Sequence, residues 1–101
     1  MNNKPLGPKD PAEVKVIRFP FGQELDGVAI ASVQSVVARV KKGADANPGQ
    51  LLAGAASVVG TDVLQRVQGG VSGVVYEIRV TVADVNSNVH VIADTLAVDS
   101  L

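Results

Sequence analysis

Residues 76–82 constrain the fold more strongly than any other segment, because apolar and polar side chains alternate there without interruption. The order is Tyr76, Glu77, Ile78, Arg79, Val80, Thr81, Val82. A period of two places one set on each face of a β-strand. A polar connector at residues 86–88 then separates this run from a second extended run at 89–98. The pattern predicts a β-hairpin with one buried and one exposed face.

The composition favours strands over helices throughout the chain. Valine occurs twenty times in 101 residues, whereas aromatic residues make up only 3% and tryptophan is absent. Branching at Cβ restricts side-chain rotamers in a helix but suits a pleated, half-buried surface. A chain of this length can bury one core, so we expect a single domain.

Turn residues divide the chain into short extended segments. Residues 14–19 form a strand candidate that Pro20 ends, because proline has no amide hydrogen for a ladder. Residues 51–59 predict a weaker strand, and residues 63–68 predict another. Together with the C-terminal hairpin, the count is about seven short strands at 8–12-residue spacing. This all-β pattern is typical of an antiparallel β-sandwich or a small barrel.

Residues 28–40 form the longest apolar stretch and admit more than one interpretation. The stretch is too long for one typical strand, so it predicts two strands or one long strand bent near residues 32–35. A helix is the alternative, because Val33, Val36 and Val40 recur at helical spacing. The valines, the serines and the lack of a helix start signal favour strands.

The first eleven residues differ from the rest in containing three prolines and little to bury. We expect residues 1–11 to form an extended N-terminal arm and residues 12–101 to form the domain. The arm is either a frayed terminus or a segment that docks on a neighbouring subunit. The polar stripe on residues 76–82 is either a solvated face or the rim of an interface. The candidates for protein contacts are Lys4, Pro5, Lys9, Asp10, Pro11, Lys41, Lys42, Glu77 and Arg79.

Catalytic groups are scarce, which argues against an enzyme. No cysteine is present, and the one histidine, His90, would need metal ligands or a catalytic partner from elsewhere. Asp84 and Asp94 fall on strands predicted to be neighbours, so they could approach one another as a carboxylate pair. We expect no catalytic residue, no cofactor and no metal.

Two further binding functions are disfavoured by the same composition. Residues 69–73 are rich in glycine, but no lysine and no helix follow, so a phosphate loop is rejected in favour of a turn with positive φ angles. The net charge is −1 without a basic stripe, and no apolar stretch approaches 18 residues. We therefore expect neither nucleic acid nor membrane as a partner.

The order of three motifs resembles a family of small immunoglobulin-like virion proteins of tailed bacteriophages, the fiber–tail adaptors. The motifs are an Asp-Pro opening at residues 9–13, a Leu–Gly–Ile-Ala-Ser strand at 25–32, and a Gly-Gly–Gly–Tyr approach to the penultimate strand at 63–82. The resemblance implies an immunoglobulin-like antiparallel β-sandwich without catalytic residues. The scaffold positions that it implies are Asp10, Pro11, Ile30, Ser32, Gly69, Gly70, Gly73 and Tyr76.

The resemblance also implies a function and a location. We expect a non-enzymatic structural protein of the virion, made in the host cytoplasm, that joins the tail to fibers or to neighbouring tail proteins. Its partners would be other virion proteins, in a symmetric or multi-copy assembly. A capsid decoration or head-fiber protein is the alternative, followed by a small ligand- or carbohydrate-binding module, which so few aromatics disfavour. Tyr76 has its own interpretation as a tyrosine corner, whose hydroxyl bonds the backbone upstream, or as a half-buried core ring.

Overall fold

The computed structural model describes the backbone of residues 6–100 and the side chains from residue 8 onward. Strands dominate this part of the chain, together with one helical turn and one 3-10 turn. In chain order the elements are β1 Leu6–Lys9, β2 Lys15–Pro20, α1 Gly22–Leu25, β3 Ile30–Lys42, the 3-10 turn Pro48–Leu51, β4 Ser57–Val59, β5 Asp62–Val67, β6 Val74–Asp84 and β7 Val89–Val98.

The strands form two sheets around a single core. One sheet has four strands in the order β1-β7-β6-β3, and the other has three in the order β2-β5-β4. The buried apolar residues of both sheets belong to one cluster, to which β2 contributes Phe19, β5 contributes Val63 and β6 contributes Ile78. The prediction of a mostly β chain with about seven strands is confirmed. The prediction that all strands pair antiparallel is wrong, because β1 runs parallel to β7.

The C-terminal hairpin has the form that its alternation predicts. Strands β6 and β7 pair antiparallel over ten positions, from Val74 opposite Val98 to Ala83 opposite Val89. Every second residue of β6 is buried, from Val74 to Asp84. These inward side chains line the core, and the polar stripe lies on the outer face.

Residues 28–40 fall largely in one long strand rather than two strands or a helix. Strand β3 pairs with β6 along its length, and its register shifts between Ile30 and Ser32, between Val33 and Ser35, and between Val40 and Lys42. Such bulges bend a strand and increase its twist, so one strand follows the curvature of the sheet. The alternative of one long strand is confirmed, and one register shift, between Val33 and Ser35, lies within the segment 32–35 where the bend was predicted.

Part of the expected arm belongs to the sheet. In β1, Leu6 lies opposite Leu96 and Lys9 lies opposite Val98. Pro8 is tolerated there because β1 is an edge strand and has a ladder to complete on one side only. The backbone N–H of Asp99 also donates to the Lys9 carbonyl at 2.9 Å. Residues 1–5 lie outside the described residues.

Two local elements depart from the sequence-based expectation. Only Ser57–Val59 of the segment 51–59 is a strand, because Leu51 ends the 3-10 turn and is buried in the core. The turn α1 was not expected. It forms because Phe21 and Leu25, four residues apart, both point into the core. No helix within residues 6–100 is long and apolar enough to cross a membrane.

Candidate interaction surface

Four of the expected contact residues lie at one end of the four-stranded sheet. Lys9 is opposite Val98 on β7, and Val98 is opposite Val74 on β6. Lys42, on the far edge strand, is opposite Val75. Asp10 and Pro11 follow β1 at this end, and Lys41 and Lys42 end β3. We call Asp10, Pro11, Lys41 and Lys42 the end surface.

A shallow depression adjoins the end surface on the side of β1. Its volume is about 610 Å³, and Pro11 is part of its wall. The other wall residues are Ala12, Val14, Gln50, Leu52, Gln68, Gly69 and Gly70. Val14 is 55% exposed and adds apolar surface to this wall. The depression offers apolar surface beside the charged residues of the end surface.

Lys9 is oriented inward, although it lies beside the end surface. It is fully buried, and its Nζ donates to the carbonyl of Gly69 at 2.6 Å and to the carbonyl of Asp10 at 3.0 Å. Burial lowers the pKa of its ammonium, and the nearby carboxylates of Glu13 and Asp10 oppose that shift. Lys9 therefore connects β1 to the glycine loop, residues 69–73, within this chain.

Glu77 and Arg79 lie on the outer face of β6. The Glu77 carboxylate is paired with Arg39 of β3, with 2.8 Å between Oε1 and Nη2. Arg79 is exposed and lies between Val37 of β3 and Ala93 of β7 in the register. We call Arg79, Val37 and Ala93 the face surface. The two remaining candidates, Lys4 and Pro5, lie outside the described residues.

Tyr76 joins two loops near the end surface. Its ring is fully buried, its hydroxyl accepts the Val71 N–H at 2.8 Å, and the same hydroxyl donates to Asp45 Oδ2 at 2.7 Å. Burial and the Asp45 hydrogen bond raise the pKa of Tyr76. The hydrogen bond from Tyr76 lowers the pKa of Asp45, with help from the Asn47 N–H. The hydrogen bond between the tyrosine hydroxyl and upstream backbone that a tyrosine corner predicts is present, with the Val71 N–H as its donor.

The two acids considered as a catalytic pair are far apart. Strands β6 and β7 are neighbours as predicted, but Asp94 is opposite Ile78, six positions from Asp84 along β6. Six strand residues span roughly 20 Å. The suggestion that Asp84 and Asp94 approach each other is therefore wrong, because strand neighbours meet only where the register aligns them.

Asp84 instead organises the turn between β6 and β7. Its Oδ1 accepts the N–H groups of Asn86 and Asn88 at 2.8 and 2.9 Å. Its Oδ2 lies 2.9 Å from His90 Nε2. An ionised carboxylate can only accept, so Nε2 carries the hydrogen. Within residues 6–100, no three potential metal ligands group together.

This turn predicts an acid-sensitive contribution to stability. Hydrogen bonds from His90 first, then from Asn88 and Asn86, hold the pKa of Asp84 below its ordinary value of 3.8. A depressed pKa stabilises the fold above the unfolded-state value, and that stabilisation is lost as pH falls through the native pKa. We expect Asp84→Asn to lower Tm at pH 7. The difference in Tm from the parent should shrink below pH 4, as calorimetry would measure, and a constant difference from pH 7 to pH 2 would contradict this.

Asp94 is a buried carboxylate that the sequence interpretation did not treat as a binding residue. It is 8% exposed, and its Oδ1 has no hydrogen-bond partner within the described part of the chain. Burial raises its pKa. The available signal was its inward position between Ile92 and Leu96, where an apolar residue is expected.

Comparison with known protein families gives a match that covers most of the chain. Residues 9–96 match the model of a family described as the podophage GP4 fiber-tail adaptor protein gp77. No curated protein and no solved structure gives a significant match. The matched segment runs from the last residue of β1 nearly to the end of β7 and includes both sheets. The chain therefore belongs to the podophage fiber–tail adaptor family, whose members are structural, non-enzymatic components of the phage tail.

Proposed function

We propose that this chain is a rigid, multi-copy connector that binds a tail protein and a fiber protein through separate surfaces. Membership of the adaptor family carries the proposal. The two surfaces would be the end surface and the face surface, which lie at the tip and on the side of one body. The described shape is elongated, 41 × 24 × 19 Å, which suits a spacer between two partners.

We further propose an immunoglobulin-like sandwich as the rigid body. In that fold strands B, E and D share one sheet and strands C, F and G share the other. Here β2, β5 and β4 share one sheet and occupy the places of strands B, E and D. Strands β3, β6 and β7 share the other sheet and occupy the places of C, F and G, and β1 pairs with the free edge of β7. Tyr76 supports this assignment, since it lies near the start of the penultimate strand and its hydroxyl accepts the Val71 N–H.

Free strand edges support assembly of several copies or attachment of partner strands. Strand β3 pairs only with β6, and β4 pairs only with β5, within the described residues. Val58 and Val59 on the short edge strand β4 are both exposed. An unpaired edge with apolar side chains invites addition of a strand from another chain. Residues 1–5, with Lys4 and Pro5, would serve as a further contact in this proposal.

Charge reversal on the end surface tests the proposal. We expect Lys41→Glu with Lys42→Glu to reduce the number of copies per purified tail at least several-fold, because these exposed cations sit where a partner would dock. Quantitative mass spectrometry of particles from a complementation system measures the copy number. Arg66→Glu, an exposed cation on the outer face of β5, is the matched control and should leave it unchanged. If the Lys41→Glu, Lys42→Glu double variant and the Arg66→Glu variant are present in equal numbers per tail, the end surface is not a docking surface.

A further inference from the structure

An acidic cleft opens on the flank of the molecule, on the opposite side of β7 from the face surface and at a distance from the end surface. Its volume is about 350 Å³, and it lies between the inner face of β7 and the corner where β2 passes into α1. Three carboxylates line it, Glu24, Asp62 and Asp94. The remaining wall residues are Pro20, Gly22, Gln23, Thr61 and Ile92.

The described part of β1 does not extend along β7 as far as the cleft. It pairs with β7 only from Leu96 to Val98, so the stretch of β7 that carries Ile92 and Asp94 has a free edge within the described residues. On the other side of the cleft, β2 pairs only with β5. No described strand closes the gap between the two sheets at this flank.

Asp94 is the residue of the cleft with a buried polar atom that lacks a hydrogen-bond partner within the described part of the chain. Its side chain comes from the buried face of β7, is more than nine-tenths buried, and has an Oδ1 without a hydrogen-bond partner. Buried polar atoms in folded proteins almost always have partners, and an unpaired buried carboxylate is costly. Asp62 is already paired with Arg18 at 3.6 Å. Neither Asp94 nor Glu24 has a basic side chain within 4 Å among residues 6–100.

We propose that this cleft receives a lysine or arginine side chain from a partner protein of the virion, with Asp94 as the buried anchor and Glu24 at the entrance. This inference rests on the proposed connector function. A basic side chain suits the walls, because Pro20 and Ile92 can contact its methylene groups while the carboxylates accept its donors. Burial at the cleft would desolvate the pair, and removing one partner of a buried, hydrogen-bonded charge pair is costly because the other charge is left unpaired.

The test separates an anchor for a partner from a residue that serves the fold. We expect Asp94→Asn and Asp94→Val to raise or leave unchanged the Tm of the purified chain, because each removes an unpaired buried charge. In particles, the same variants should reduce the copies per tail at least tenfold. Asp26→Asn, an exposed acid just after α1 that is outside the cleft wall and far from the end surface, is the matched control and should change neither quantity.

The number of copies per tail and the Tm distinguish a failure of the connector function from a failure of the cleft inference. If the parent chain is missing from purified tails, the connector function fails; if parent and Asp94 variants are present in equal numbers, only the cleft inference fails. A lower Tm for Asp94→Asn would show that the carboxylate stabilises the isolated chain, which overturns the inference. So would a dimer of the parent chain that Asp94→Asn dissociates, since the occupant would then be a second copy. If Lys4→Ala and Asp94→Asn lower Tm equally, and the double variant lowers it no further, then the basic side chain in the cleft is Lys4 of this same chain. That result would also overturn the inference.

Discussion

Replacing Gly70 by alanine is expected to lower the free energy of unfolding by about 2–5 kcal/mol, combining overpacking with backbone strain. Gly70 has a φ of +95°, a conformation that side chains with a Cβ rarely adopt. A Cβ there would lie 2.8 Å from Val98 Cγ2 and 3.3 Å from Leu51 Cδ1. Val98 and Leu51 are themselves buried, so neither can move aside without disturbing the core.

The adjacent glycine provides the control for this prediction. Gly69 also has a positive φ, +61°, but a Cβ there would meet nothing within 4 Å. Gly69→Ala should therefore cost only the backbone strain, about 1–2 kcal/mol. Urea unfolding followed by circular dichroism gives both values. Equal losses for the two variants would show that the contact with Val98 and Leu51 contributes nothing.

Truncation of Tyr76 is the second large effect, and two variants separate its ring from its hydroxyl. Tyr76→Ala should cost about 3–5 kcal/mol, because it empties a fully buried site in a core with few rings. Tyr76→Phe keeps the ring but removes the hydroxyl that accepts the Val71 N–H and donates to Asp45 Oδ2. We expect the second variant to cost about 0.5–1.5 kcal/mol, the range for a typical intramolecular hydrogen bond, because Val71 and Asp45 are both partly exposed to water.

A third variant identifies which of the two hydrogen bonds matters. Asp45→Ala removes the acceptor but leaves the bond from the Val71 N–H to the tyrosine hydroxyl. It should be less destabilising than Tyr76→Phe in the same urea titration. If Asp45→Ala is the more damaging of the two, the bond to the upstream backbone is not what the tyrosine contributes.

The parts of the fold that local pattern determines were predictable from the sequence. The β6–β7 hairpin follows from strict alternation at residues 76–82 and the polar connector after it. The glycine loop was predicted with positive φ angles, and Gly69, Gly70 and Gly73 all have them. The hydrogen bond that the Tyr76 hydroxyl accepts from upstream backbone follows from a tyrosine placed just after that loop.

Pairings between distant segments were not predictable in the same way. Nothing in residues 6–9 signals a strand, since β1 has no alternation of its own and gains its conformation from the edge of β7. The turn α1 is too short for periodicity and is held by two core side chains. Lys9 has a type typical of exposed residues, and only the pairing of β1 with β7 directs it inward.

The most direct test of the adaptor role is a cryo-EM reconstruction of the phage tail with its fibers attached. We predict several copies of a two-sheet domain, each of which contacts a tail protein through one surface and a fiber protein through another. In the same map, a basic side chain of a partner should enter the cleft beside Asp94. A map in which this domain is absent from the tail, or contacts neither fiber nor tail protein, would contradict the central claim.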